Sequence, residues 1–205
     1  DNQGTLWLGT YFGGVNYFNP EYEIYTRYSY SSNEKKGLSN PVVGRTIEDR
    51  DGNLWIGTEG GGLNYYNRRT REFKWYRPQE GRNSISHNNV KALYYDADKE
   101  IIWIGTHLGG LNKLDIRSGH FTHYRMEEGN PNTLPSDIIR DIIPYKSLLI
   151  IATQNGVCLF DPANGQCQQL FKDSKEGKSI KMVADVTFDS EGTLWIAATG
   201  EGVFS

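Results

Sequence analysis

The stretch Asp49-Arg50-Asp51-Gly52-Asn53-Leu54-Trp55-Ile56-Gly57-Thr58-Glu59-Gly60-Gly61-Gly62-Leu63-Asn64 decides the fold. A polar Asp-x-x-Gly turn leads into five residues of β-forming type. A run of glycines and a second apolar segment follow, the pattern of two short strands joined by tight turns. The core of this stretch recurs at Leu6-Trp7-Leu8-Gly9-Thr10, Ile102-Trp103-Ile104-Gly105-Thr106, Leu149-Ile150-Ile151-Ala152-Thr153 and Leu194-Trp195-Ile196-Ala197-Ala198. The tryptophan position returns after 48, 48, 47 and 45 residues, a spacing that chance does not produce.

Working outward from Trp55, each period divides into four strand-sized pieces, expected at Val42 to Glu48, Leu54 to Thr58, Leu63 to Tyr66 and Glu72 to Tyr76. A long polar loop, Arg77 to Ser84, leads to the next copy. No segment holds an apolar period of 3.6, so helices should be nearly absent. A four-stranded antiparallel unit of 45 to 48 residues has the dimensions of a β-propeller blade. One small twisted sheet cannot bury both faces alone, whereas radial packing against neighbours buries both. The expectation is therefore an all-β propeller with each second-strand Trp in the core between blades. Its boundaries are a partial blade at 1–30, blades at 38–76, 85–124 and 134–170, and a partial blade at 180–205. The two partial blades overlap rather than complement each other, so the reading is an incomplete arc of a larger propeller.

Composition agrees and narrows the function. With 13 Tyr, 8 Phe and 5 Trp in 205 residues, the chain has the aromatic burial that disordered sequences lack. The net charge of −3 leaves no basic footprint for nucleic acid. The longest apolar run is strand-sized, so no direct membrane insertion is expected. No signal peptide opens the chain, which begins inside a repeat and so reads as a piece of something longer. Cys158 and Cys167 flank the turn Asp161 to Gly165. Symmetric pairing sets Cys167 opposite Phe160 and Cys158 opposite Gln169, so two free thiols are expected.

The motif Asp49-x-x-Gly52-x-Leu54-Trp55-Ile56-Gly57-Thr58-x-x-Gly61-Gly62-Leu63-Asn64, echoed around Trp7 and Trp103, resembles the two-component regulator propeller repeat. Asn67 to Thr70, Phe73, Tyr76 and Leu38-Ser39-Asn40 match its flanks. The fourth copy departs with Ile150 for Trp and Gln154-Asn155-Gly156 one residue shorter, and the fifth with Ala197-Ala198 for Gly-Thr. The resemblance implies a sensor region, periplasmic, from a hybrid two-component system of the Bacteroidetes type. Such propellers have seven blades as a rule and signal to a histidine kinase that controls transcription, many in response to oligosaccharides. The expected partners are then an oligosaccharide, the remaining blades and signalling domains of the parent chain, and, through open edge strands, a second copy.

Other chemistries fit less well. The Asp-box of propeller hydrolases carries its Asp two residues before Gly, not three, and the equivalents of Arg45 are Ala92, Asp141 and Asp185, so no arginine ring lines the axis. A protein–protein scaffold and a glycan-active hydrolase or lyase stand as the alternatives, and the expectation is a non-catalytic domain. His120 and His123 point to opposite faces of a strand, His87 and His107 lie in loops, and no metal or cofactor is expected. Ligand contacts are expected on the loops between second and third strands, at Tyr11, Phe12, Glu59, His107, Leu108, Gln154 and Asn155. These vary within an otherwise repetitive unit on a rigid scaffold. Tyr11, Phe12 and His107 are placed to stack on sugar rings, with Glu59 and Gln154 hydrogen-bonding hydroxyls.

Overall fold

A computed structural model describes residues 5–10, 14–19, 24–171 and 180–205. The strands form five separate antiparallel sheets. The first holds β1 (Leu6–Thr10), β2 (Gly14–Asn19) and β3 (Ile24–Tyr28). The second holds β4 (Val43–Glu48), β5 (Leu54–Thr58), β6 (Gly62–Asn67) and β7 (Glu72–Tyr76). The third is β8 (Val90–Asp96), β9 (Ile101–Thr106), β10 (Leu111–Asp115) and β11 (His120–Tyr124), and the fourth β12 (Ile139–Tyr145), β13 (Leu148–Thr153), β14 (Gly156–Phe160) and β15 (Cys167–Leu170). The fifth holds β16 (Val183–Phe188), β17 (Leu194–Ala198) and β18 (Gly202–Phe204). Strand order in every sheet is chain order, each joined to the next by a hairpin. Among the described residues the helical structure is one 3-10 turn, Glu34–Lys36.

The core lies between sheets rather than within them. Trp55 and Leu63 of the second sheet pack with Val90, Ile102 and Phe121 of the third. Trp103 and Leu111 pack with Ile139, Ile151 and Phe160 of the fourth, and Ile150 and Val157 with Val183 and Ile196 of the fifth. Each blade thus completes its neighbour, the physical requirement of a propeller, and the inner strands pack on one another in sequence order. Trp195, expected in the core with the other tryptophans, is 40% exposed, because among the described residues no further sheet covers its flank. Trp7 is only half-buried.

The repeated residues have local duties. Asp49 accepts at Oδ1 from the backbone N–H groups of Asp51 and Asn53 (3.1 and 2.9 Å) and at Oδ2 from the Trp55 indole (3.0 Å). It therefore closes the turn and fixes the wedge at once, as Asp189 does for Trp195 (2.7 Å). Gly62 sits at φ +82°, and a Cβ there would stand 2.2 Å from the Tyr76 carbonyl oxygen. Asn64 and Asn112 are fully buried polar hubs. Each accepts from a backbone N–H, of Ser39 or Ser86 (2.8 Å), and donates to the same residue's hydroxyl (2.8 Å).

The fourth blade drops this device at both ends. Pro135 stands where the others have Ser39 and Ser86, and Cys158 where they have Asn64 and Asn112. Proline has no N–H to offer, and the apolar-leaning thiol leaves no acceptor unsatisfied. The cysteine register is the expected one, Cys158 against Gln169 and Phe160 against Cys167. Both cysteines are buried free thiols. That register nevertheless brings the sulfurs together: they sit on a diagonal between adjacent strands, 3.4 Å apart.

Candidate ligand-binding face

The loops after β5, β9, β13 and β17 turn back toward the start of their own inner strand. The backbone N–H groups of Glu59, His107, Gln154 and Thr199 donate to the carbonyls of Val42, Asn89, Ile138 and Met182 (3.0, 2.9, 3.0 and 3.0 Å). The same loops then hold the following blade. Gly60 and Gly62 donate to the Asn88 carbonyl (3.1 and 2.7 Å), and Leu108 and Gly110 to that of Asp137 (3.1 and 2.9 Å). Met182 donates to the Gln154 carbonyl (2.7 Å). Isolated bridges pair Glu59 with Asn89 and His107 with Ile138. Blade-to-blade stapling is thus done by main chain.

Each inner strand carries a bulge at one repeat position. Pairing with the second strand shifts between Val43 and Thr46, between Val90 and Ala92, between Ile139 and Asp141, and between Val183 and Asp185. The extra residues include Gly44, Lys91, Arg140 and Ala184. A bulge re-aims the side chain it carries: the Lys91 ammonium meets the Glu59 carboxylate of the preceding blade as an ion pair. Arg140 occupies the same position relative to His107.

One residue further along, the inner strands meet across the axis. Arg45 Nη2 lies 2.7 Å from Asp141 Oδ1 and 3.7 Å from Asp185 Oδ1. Asp141, 3% exposed, also accepts at Oδ2 from the Val186 N–H (3.4 Å). Burial first, and a hydrogen bond to Asp185 second, push its carboxyl above the usual carboxylate range, against the pull of Arg45. A cavity of about 440 Å³ opens beside Arg45, between Trp7, Gly9, Gly44, Thr46 and Lys91.

Of the residues singled out in the sequence, Tyr11 and Phe12 lie outside the described residues. Glu59, His107 and Gln154 are half-buried on the stapling loops of consecutive blades. Leu108 is exposed at φ +79°, and Asn155 is exposed, donating from Nδ2 to the Pro135 carbonyl (3.4 Å). His107 lies on a loop, as expected, and is half-buried there. Its Nδ1 is buried without a hydrogen-bond partner, and burial, then the nearby Arg140 and Lys91, hold its pKa below the usual histidine value. Sequence reasoning missed Asn89, Lys91 and Arg140. Their signal is a polar or charged residue at positions where sister blades carry Val42 or Ile138, and Gly44 or Ala184. Among the described residues no group of three His, Cys, Asp or Glu is placed to hold a metal ion. No helix among them is long and apolar enough to cross a membrane. The arrangement is one of hydrogen-bonding and charged groups on an arc of loops.

Comparison with known proteins agrees with this architecture. The model of the two-component regulator propeller family matches residues 37–60 and 84–107. Among solved structures, one described as the extracellular domain of a hybrid two-component system of B. thetaiotaomicron is 25% identical, with a TM-score of 0.79. The match covers 100% of this chain and 27% of that one. A second from that organism, described as the extracellular domain of a one-component system, is 25% identical with a TM-score of 0.79, over 99% of this chain and 28% of that one. The chain therefore spans little more than a quarter of the length of these relatives. A gluconolactonase of Xanthomonas campestris shares the fold, at 14% identity and a TM-score of 0.66 over 99% of this chain and 68% of that one. A search of curated protein sequences finds no relative.

Proposed function

We propose, from the premise that this chain carries two-component regulator propeller repeats, that it is part of the periplasmic sensor region of a signalling protein. There it recognises a soluble oligosaccharide, or relays its binding, toward a histidine kinase that controls transcription. The observation that carries this reading is the likeness along the whole chain to extracellular domains of B. thetaiotaomicron two-component systems. The loops add support: their hydrogen bonds to the next blade are main-chain, with the His107 and Gln154 side chains outside those bonds and Glu59 on the same rim paired to Lys91. Tyr11 and Phe12 belong to the same repeat position and are included in the proposed face, with Leu108 and Asn155 at its margin. The role is one of binding, without catalysis. The remaining blades and signalling domains are supplied by the parent chain, and the exposed flank around Trp195 is where further propeller would pack.

Thermal melting with a panel of plant and host oligosaccharides tests the reading. A ligand at 100 times its dissociation constant adds about 2.7 kcal/mol, which raises Tm by roughly 5–10 °C in a chain of this size. A shift with one glycan class is the expected result. Cooperative melts unmoved by every glycan would reject recognition by these blades.

A further inference from the structure

We infer that the rim between the third and fourth blades, formed by Arg140, His107 and Asn89, binds the anionic group of an acidic sugar, a carboxylate or a sulfate ester. The inference rests on the glycan-sensing reading and adds to it the charge of the glycan.

The argument is a comparison of equivalent positions. In each blade junction the bulge residue of one inner strand stands against the first loop residue of the blade before. Between the second and third blades these are Lys91 and Glu59, and they neutralise each other. Between the third and fourth they are Arg140 and His107. The geometry is the same, because His107 bridges Ile138 as Glu59 bridges Asn89, and Arg140 follows Ile138 by two residues as Lys91 follows Asn89. The chemistry is not the same. No carboxylate answers Arg140, which makes no hydrogen bond or ion pair among the described residues, although it is half-buried. Arg140 thus keeps part of its side chain out of water without a partner, and its planar fork matches a carboxylate or sulfate.

A second, independent observation marks the same place. The Nδ1 atom of His107 and the side-chain oxygen of Asn89 are both buried and without a partner. Buried polar atoms are almost always satisfied, so two orphans on the third blade's side of this junction describe an arrangement that lacks its other half. Asn89 stands where the sister blades have Val42, Ile138 and Met182, so its amide is not required by the repeat. The titratable and charged groups acting on His107 are Arg140, Lys91, His87 and Glu59. Of these the only anion is Glu59, already engaged by Lys91. The field at the rim is therefore positive, and a bound anion would also draw a proton onto His107. The sugar hydroxyls next to that anion meet the Asn89 amide.

Isothermal titration of the 205-residue chain with tri-galacturonate, a chondroitin sulfate tetrasaccharide and neutral xylotetraose tests the inference. At least one acidic probe is expected to bind ten times more tightly than the neutral one, more weakly at 0.5 M salt, and more tightly at pH 5.5 than at 7.5. Galacturonate alone assigns a carboxylate, and the chondroitin probe alone a sulfate-bearing ligand. Arg140→Gln is expected to weaken the acidic probe tenfold or more with Tm within about 2 °C of the parent. Glu59→Gln, which frees Lys91, is expected to tighten it several-fold, an effect that no loss of folding imitates. Binding of the neutral probe alone would overturn this inference and leave glycan sensing intact. Binding of acidic probes untouched by both substitutions would overturn it as well, and binding of none would reject both readings for these blades.

Discussion

Replacing Asn112 by alanine tests whether the blades are pinned by buried polar hubs. The Asn112 side chain has no exposed surface. Its Oδ1 accepts from the Ser86 N–H at 2.8 Å, and its Nδ2 donates to the Ser86 hydroxyl at 2.8 Å. Removing it strands a backbone donor, at about 1–3 kcal/mol, and deletes a second bond worth about 1 kcal/mol. The sum is about 2–4 kcal/mol, or roughly 5–15 °C in Tm for a chain of this length. The fourth blade supplies the control. Cys158 occupies the same position opposite Pro135, which has no N–H to strand, so Cys158→Ala should cost only about 1 kcal/mol, the burial lost with one heavy atom. Urea unfolding followed by tryptophan fluorescence measures both variants, with equal slopes confirming that the transition is unchanged. The reasoning is refuted if Asn112→Ala costs less than about 0.5 kcal/mol, or no more than Cys158→Ala.

Three further outcomes are expected. Gly105→Ala places a Cβ 2.5 Å from Ile139 Cγ2 and 2.9 Å from Ala92 Cβ, and overpacking of this kind costs about 1–3 kcal/mol; an unchanged melting temperature would show that the third and fourth blades separate freely. Cys158 is buried, and the hydrogen bond from its thiol to Cys167, together with burial, pushes its pKa well up. A thiol reagent at pH 8 should therefore leave it unmodified in the folded chain and react after denaturation, and rapid labelling without denaturant would count against the packing described. Asp141 has a folded pKa raised above its unfolded value, so its contribution is present at low pH and is lost as pH rises from the ordinary aspartate value through the raised one. The Tm of the parent minus that of Asp141→Asn should fall over that interval, and a difference that rises or stays flat would contradict the shift.

The repeat itself was open to reading because each blade solves one packing problem with one set of residues. Trp55, Gly57, Thr58, Gly62 and Asn64 recur complete in the first three blades, and in the fourth Ile150, Ala152 and Cys158 replace three of them while the packing against the next sheet persists. What escaped depends on contacts between copies. Arg45, Asp141 and Asp185 align at one repeat position, and the alignment shows that no arginine ring exists. It does not show that three inner strands bring these residues into a single ion-paired group. Lys91 and Arg140 sit on bulges, and alternation with a period of two has no means of announcing an extra residue. The cysteine register followed from the symmetry of a hairpin, but the approach of the two sulfurs depends on which diagonal the strand twist shortens. On the rim, Glu59, His107 and Gln154 were legible as variable loop residues. Their distinct surroundings, one paired to Lys91 and one beside an unpaired Arg140, were not.

The hydrogen bonds that staple these loops to the next blade run through N–H and carbonyl groups that every residue other than proline possesses, and at position 59 an ion pair to Lys91 is added. Positions 107 and 154 are therefore nearly decoupled from assembly: exchanging their side chains alters what the rim presents without altering what joins it. A propeller of this design keeps two separate ledgers of mutation, one for the ring and one for its specificity, so that a lineage can sample new ligands at the rim while its stability stays where it was.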